Sequence, residues 1–174
     1  MNNRGYIIVL TGNGKGKTTS ALGMAMRAVG QDLKVIMLQF IKGSWRCGEH
    51  EIARRLGPCL TIRQLGGGFV NAKNQDHEDV NGVAEAWAVC KGVLSAGEYD
   101  MVILDEINNA LAYGLLPADD VLDALRQRPA GLHVVLTGRD AHPRLIEAAD
   151  IVTEFNEVKH VFQNGEAARK GIEY

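Results

Sequence analysis

Nine residues constrain this chain more than any others. The segment TGNGKGKTT, Thr11 to Thr19, follows the apolar run YIIVL and leads into a helical pattern. A glycine-rich turn between a strand and a helix is the context of a phosphate-binding loop. Gly12, Gly14 and Gly16 free the backbone so that successive N–H groups can converge on phosphate oxygens. The helix start adds partial positive charge. Lys17 supplies a point charge, Thr18 a hydroxyl suited to Mg²⁺, and Lys15 a second cation. The plainer alternative is a glycine-rich turn that only caps a helix. The spacing is also irregular. The pattern G-x-x-x-x-G-K-[ST] requires a glycine at position 11, which is Thr11. Counted from Gly12, three residues rather than four precede Gly16.

The rest of the chain is consistent with one domain, residues 1–174. A chain of this length can bury roughly 70% of its unfolded surface and needs no staples. A net charge of −2 gives no support for a nucleic-acid binder. The charge is unevenly placed, however. Residues 1–31 carry Arg4, Lys15, Lys17 and Arg27 and no acid, a local positive field that suits a polyanion. Cys47, Cys59 and Cys90 show no C-x-x-C spacing, and an odd count without a signal peptide reads as reduced thiols in a cytoplasmic protein. No apolar run approaches the roughly 18 residues of a membrane span. The histidines show no metal-ligand spacing.

Short apolar runs alternate with helical patterns. Residues 6–10, 34–39, 60–65, 101–104, 133–137 and 151–155 read as strands. Several are continuously apolar, as in strands covered on both faces. Helical patterns lie near 18–29, 49–56, 78–96, 118–127 and 142–148. Such alternation predicts an α/β fold, with right-handed crossovers, a mostly parallel central sheet and helices on both faces.

Two longer loops follow the second and third strands. They are FIKGSWRCG (residues 40–48) and GGGFVNAKNQDH (residues 66–77). Both sit at the carboxyl ends of strands, where open α/β sheets bind ligands. A flexible surface loop is the competing reading.

MVILDE is the second half of a nucleotide site. An apolar strand ends in Asp105 and Glu106, and a carboxylate there can hold Mg²⁺ directly or through water. An acidic pair favoured by a helix start is the alternative. VVLTGRD places Arg139 after another strand, where it can meet phosphate or ribose, or simply pair with Asp140. Lys42 is a similar case. The residues alone describe a Mg-nucleotide protein and leave its chemistry open. No catalytic-base motif stands out.

The ordered set TGNGKGKTTSALGMAMRAVG, QFIKG, GFV, MVILDEINNAL, VVLTGR, ADIVTE, VKH and GIEY resembles the P-loop corrinoid adenosyltransferases. The likeness runs from about Gly5 to Tyr174, and the shortened loop is itself a mark of that family. It implies a RecA-like P-loop fold and transfer of the 5′-deoxyadenosyl group of ATP to the cobalt of a reduced corrinoid. The whole triphosphate leaves. In that family ATP lies in the loop in the reverse sense to ordinary P-loop enzymes, and a loop one residue shorter is consistent with that. Cob(I) is already an extreme nucleophile, so no protein base is needed.

By position, the resemblance implies that Gly12, Asn13, Gly14, Lys15, Gly16, Lys17, Thr18 and Thr19 line the triphosphate. Thr18 and Glu106 hold Mg²⁺ with Asp105 in support, and Phe69 faces the corrin ring. Asn71 stands where many relatives carry an aromatic, and about four residues precede the first strand where some relatives carry a longer segment. The expected partners are a corrinoid, reduced flavodoxin or another flavin reductant, and a second copy of the chain in a homodimer. A small-molecule kinase and a non-catalytic corrinoid carrier are the alternatives.

Overall fold

The structure is a computed structural model and describes residues 4–40, 47–66 and 77–173, the side chains of 77–81 excepted. Its strands are β1 (Ile7–Thr11), β2 (Val35–Gln39), β3 (Leu60–Gln64), β4 (Met101–Asp105), β5 (His133–Thr137) and β6 (Ile151–Glu154). The helices are α1 (Lys17–Val29), α2 (Gly48–Leu56), α3 (His77–Ala96), α4 (Ile107–Ala112), α5 (Ala118–Gln127) and α6 (Pro143–Ala148). A 3₁₀ turn covers Val161–Asn164.

All six strands form one sheet in the order β3-β2-β4-β5-β1-β6, and every pairing is parallel. The sheet is wholly, rather than mostly, parallel. β1, β2 and β4 are buried at every position, which explains their unbroken apolar runs. Alternate residues serve opposite faces. Ile7, Val9, Ile36, Leu38, Val102 and Leu104 join the core beneath α3, α4 and α5. Ile8, Leu10, Val35, Met37 and Ile103 join the core beneath α1 and α2. Helix α1 meets the sheet with Ala21, Ala25 and Ala28, spaced to one face and small enough for close approach.

Chain direction then creates the crevice. β1 and β2 feed helices on one face, whereas β4 and β5 feed helices on the other. These pairs are neighbours in the sheet, so their connections diverge at the carboxyl ends. Ligands of open α/β sheets bind at such divergence points.

Two elements depart from the expectation. No helical pattern marks α4 in the sequence, since INNALA is short and carries two asparagines of low helix propensity. It forms because Ile107, Ala110 and Leu111 are buried in the core. The edge strand β6 is exposed at all four positions despite its apolar Ile151 and Val152.

Candidate nucleotide site

Four strand ends build the site. The phosphate loop follows β1, Gln39 closes β2, Asp105 and Glu106 close β4, and Thr137 to Arg139 close β5. Register places Gln39 directly opposite Asp105.

The loop is walled from outside by the chain after β6. The Phe155 N–H donates to the Thr11 carbonyl at 2.8 Å, and the Gly14 N–H donates to the Phe155 carbonyl at 2.7 Å. A Cβ on Gly12, at φ +92°, lies 2.5 Å from the Phe155 oxygen, and one on Gly14 lies 2.7 Å from the Asn156 carbonyl carbon. Neither contact is tolerable, so these glycines are required by the backbone beside them. Lys17 folds onto its own loop. Its Nζ donates to the carbonyls of Gly12 at 2.7 Å and Gly14 at 2.8 Å.

Asp105 is fully buried. Its Oδ1 accepts from the Thr18 hydroxyl at 2.9 Å and the Thr137 hydroxyl at 2.7 Å, and its Oδ2 accepts from Gln39 Nε2 at 3.2 Å. Thr137 Oγ1 in turn accepts the Glu106 N–H at 2.9 Å, so its proton is committed to Asp105. Glu106 sits at φ 66°, ψ 17°, the left-handed region, as the residue before α4. For a non-glycine residue this costs of the order of 1–3 kcal/mol, and such strain gathers at functional sites. The Thr137 acceptor offsets part of it.

A polar cavity of about 400 Å³ is lined by Lys15, Lys17, Thr18, Glu106, Arg139 and His160, among others. No ion pair joins Arg139 to Asp140. The Arg139 backbone N–H donates to Asn109 Oδ1 at 2.8 Å, which anchors the residue beside the cavity. Burial lowers the Lys17 pKa and Arg139 lowers it further, against the opposing pull of Glu106 and Asp140. Gly12, Asn13, Gly14, Gly16 and Thr19 lie in the same loop-helix junction, with Asn13 and Thr19 exposed. A more apolar cavity of about 600 Å³ lies on the other side of the loop, bounded by Leu22, Met26, Ile52 and Leu60. Across the mouth, Lys15 Nζ pairs with Glu173 Oε1 at 3.5 Å. Phe69, Asn71 and Lys42 lie outside the described residues.

Sequence reasoning missed Gln39, Thr137 and the segment from Phe155 to Glu173 as parts of this site. QFIKG and GIEY were visible as motifs, but only the fold brings Gln39 to Asp105 and Glu173 to Lys15. Among the described residues no cluster of three or more histidines, cysteines or acids could hold a metal. No helix there is long and apolar enough to cross a membrane.

The sequence profile of the ATP:corrinoid adenosyltransferase BtuR/CobO/CobP family matches residues 3–174. The chain belongs to this family. It is 44% identical to the corrinoid adenosyltransferase of Pseudomonas aeruginosa over 171 residues, covering 98% of this chain and 84% of that one. With the corrinoid adenosyltransferase of Escherichia coli the identity is 43%, over 98% of this chain and 86% of the relative. Among solved structures, the flagellar accessory protein FlaH of Methanocaldococcus jannaschii superposes with a TM-score of 0.55 at 13% identity. That match covers 87% of this chain and 71% of FlaH, and it shows the fold alone. The adenosyltransferase family is thus built here on a RecA-like P-loop sheet.

Proposed function

We propose that this site holds the triphosphate of ATP as a leaving group while the adenosyl carbon is handed to cobalt. The overall activity is that of the family: an ATP:corrinoid adenosyltransferase, with ATP and a corrinoid as substrates. The observation that carries the finer reading is convergence. Lys15, Lys17 and Arg139 meet around one cavity with Thr18 and Glu106.

The electron pair of cob(I) attacks C5′ of ATP, a cobalt–carbon bond forms, and the C5′–oxygen bond breaks. Its electrons leave with the triphosphate, so negative charge grows on the phosphate side. Preorganised cations and loop N–H groups facing that charge are worth more in a sheltered site than in water. Gly12, Asn13, Gly14, Lys15, Gly16, Lys17, Thr18 and Thr19 line the triphosphate in this reading, with Arg139 beside it.

The donor set also fits Mg²⁺. The Thr18 hydroxyl donates its hydrogen bond to Asp105, which leaves the oxygen lone pairs for a cation. Mg²⁺ typically takes one or two protein ligands plus substrate phosphates, and needs no dense cluster. Thr18 and Glu106 would hold it with Asp105 behind Thr18, and it would neutralise charge on the triphosphate.

Phe69 and Asn71 belong to the corrinoid side of the site. A ring pressed on the lower corrin face excludes water and an imidazole base and leaves four-coordinate cobalt. The chain acts as one domain, residues 1–174, in a cytoplasmic homodimer, with a reduced flavodoxin or other flavin as electron source. The test is anaerobic incubation with ATP, Mg²⁺ and chemically reduced corrinoid. One tripolyphosphate per light-sensitive adenosylated corrinoid is expected. ADP with a phosphorylated acceptor would replace this reading with a kinase.

A further inference from the structure

Behind Asp105 a second layer of hydrogen bonds leads away from the phosphate loop to helix α2. His50 Nε2 lies 3.0 Å from Gln39 Oε1. The other ring nitrogen, His50 Nδ1, accepts the Cys47 backbone N–H at 3.1 Å. That contact decides the tautomer. A nitrogen that accepts carries no proton, so the proton of the neutral ring is on Nε2 and is donated to Gln39 Oε1.

The consequence passes along the chain. The Gln39 amide has two ends of opposite character. With Oε1 held by His50, its NH₂ end must face Asp105, where Nε2 donates to Oδ2 at 3.2 Å. A flipped amide sets two acceptor oxygens against each other at Asp105, at a position with no exposure to water. Asp105 Oδ2 held in this way leaves Oδ1 turned toward Thr18 and Thr137. His50 is half-buried at the third position of α2.

We propose that His50, acting through Gln39, is a positioning residue that sets the Asp105 carboxylate and so the grip of the site on metal–ATP. The proposal rests on the Mg²⁺ reading given above. Histidine is not unique in this role. Glutamine spans a similar acceptor-to-donor distance, and a glutamine at the third helical position accepts the N-cap N–H in its own right. His50→Gln keeps both contacts, whereas His50→Leu keeps neither.

The test measures binding, without corrinoid and without turnover. Mn²⁺ is titrated into protein with ATP, and free Mn²⁺ is read by its EPR signal. Loss of a group that orients a metal site typically costs about 10–100-fold in affinity, so His50→Leu is expected to weaken binding about 10-fold. His50→Gln is expected within about twofold of the parent, since both hydrogen bonds survive. In a Gln39→Leu background, His50→Leu is expected to cost nothing more, because residues acting in series are non-additive. Parental affinity in His50→Leu, or multiplied losses in the double variant, would overturn the proposal and leave His50 as a helix-capping residue. Independently, ¹⁵N spectra of the His50 ring in the ligand-free protein are expected to show the Nε2–H form. An Nδ1–H form overturns the relay whatever the variants do. A parent that fails to bind Mn²⁺ with ATP overturns the metal reading itself, a result distinct from a failure confined to the variants.

Discussion

Thr18, at the start of α1, and Asp105, at the end of β4, are joined by a hydroxyl-to-carboxylate hydrogen bond of 2.9 Å. The carboxylate accepts the hydroxyl hydrogen bond, so toward the cavity the Thr18 oxygen offers only its lone pairs. Thr18→Ser keeps that arrangement and is expected to retain most activity. Thr18→Val removes it. Its Mn²⁺·ATP affinity is expected to fall about 10–100-fold. Equal affinities in the two variants would remove Thr18 from the metal site.

Asp105 and Glu106 are neighbours with different duties. Asp105 is buried with three donors on it, so Asp105→Asn places an NH₂ group among donors. The cost is about 1–3 kcal/mol of stability. For a domain of this size that lowers the melting temperature by about 2–4 °C per kcal/mol. Glu106 lines the open cavity. Glu106→Gln is expected to leave the melting temperature within a degree or two, consistent with a surface change of about 0.5 kcal/mol or less. Its Mg²⁺ requirement for adenosylation is expected to rise more than that of Asp105→Asn. Calorimetry and a Mg²⁺ titration of rate separate the two roles, and the reverse order would exchange them.

Lys17 carries a pH signature. Burial, chiefly, and Arg139 lower its pKa below the ordinary 10.5. A lowered value means that the ammonium loses its proton at a lower pH than a free lysine. The kcat/KM for ATP reports the free enzyme. Its alkaline limb is therefore expected to begin below the pH of an unperturbed lysine and to move upward in Lys17→Arg. Lys17→Ala is expected to lose about 10²-fold or more in turnover, as for single electrostatic donors elsewhere.

Cys90 is fully buried on α3, and burial pushes its pKa up to about 12 from 9.0. The thiolate is the reactive form. At pH 8 iodoacetamide is expected to label Cys47 and Cys59, both half-buried, and to spare Cys90 until the protein unfolds. The same shift has a sign for stability. Between pH 9 and about 12 the unfolded thiol has lost its proton and the folded one keeps it. The folded state then binds more protons, so this group makes stability fall as pH rises through that window. Mass spectrometry of the labelled protein, with urea melts at pH 8 and 10, checks both.

Much of the site was legible because its parts are local. The phosphate loop, the acidic pair and Arg139 each announce themselves by a strand end and a few flanking residues. Strand positions agree with the structure to within about a residue, since burial on both faces forces continuous apolar runs. Lateral order leaves no such trace. Nothing in QFIKG says that Gln39 stands opposite Asp105, because strand neighbours are chosen by crossovers rather than by periodicity. Glu106 gave no sign of its left-handed backbone at the junction of β4 and α4. The wall of Phe155 and Asn156 against Gly12 and Gly14 is a contact between distant parts of the chain, and spacing cannot encode it.

That wall has a consequence for biosynthesis. The phosphate loop is translated long before Phe155 and Asn156, which make its outer side. At about 5–20 residues per second, the nascent loop waits on the order of ten seconds for the backbone that holds it. During that interval Gly14 lacks the carbonyl to which its N–H is bound in the finished protein. The outer side of the loop is therefore completed late in synthesis. The phosphate loop has its finished surroundings only once β6 and the two residues after it have been made.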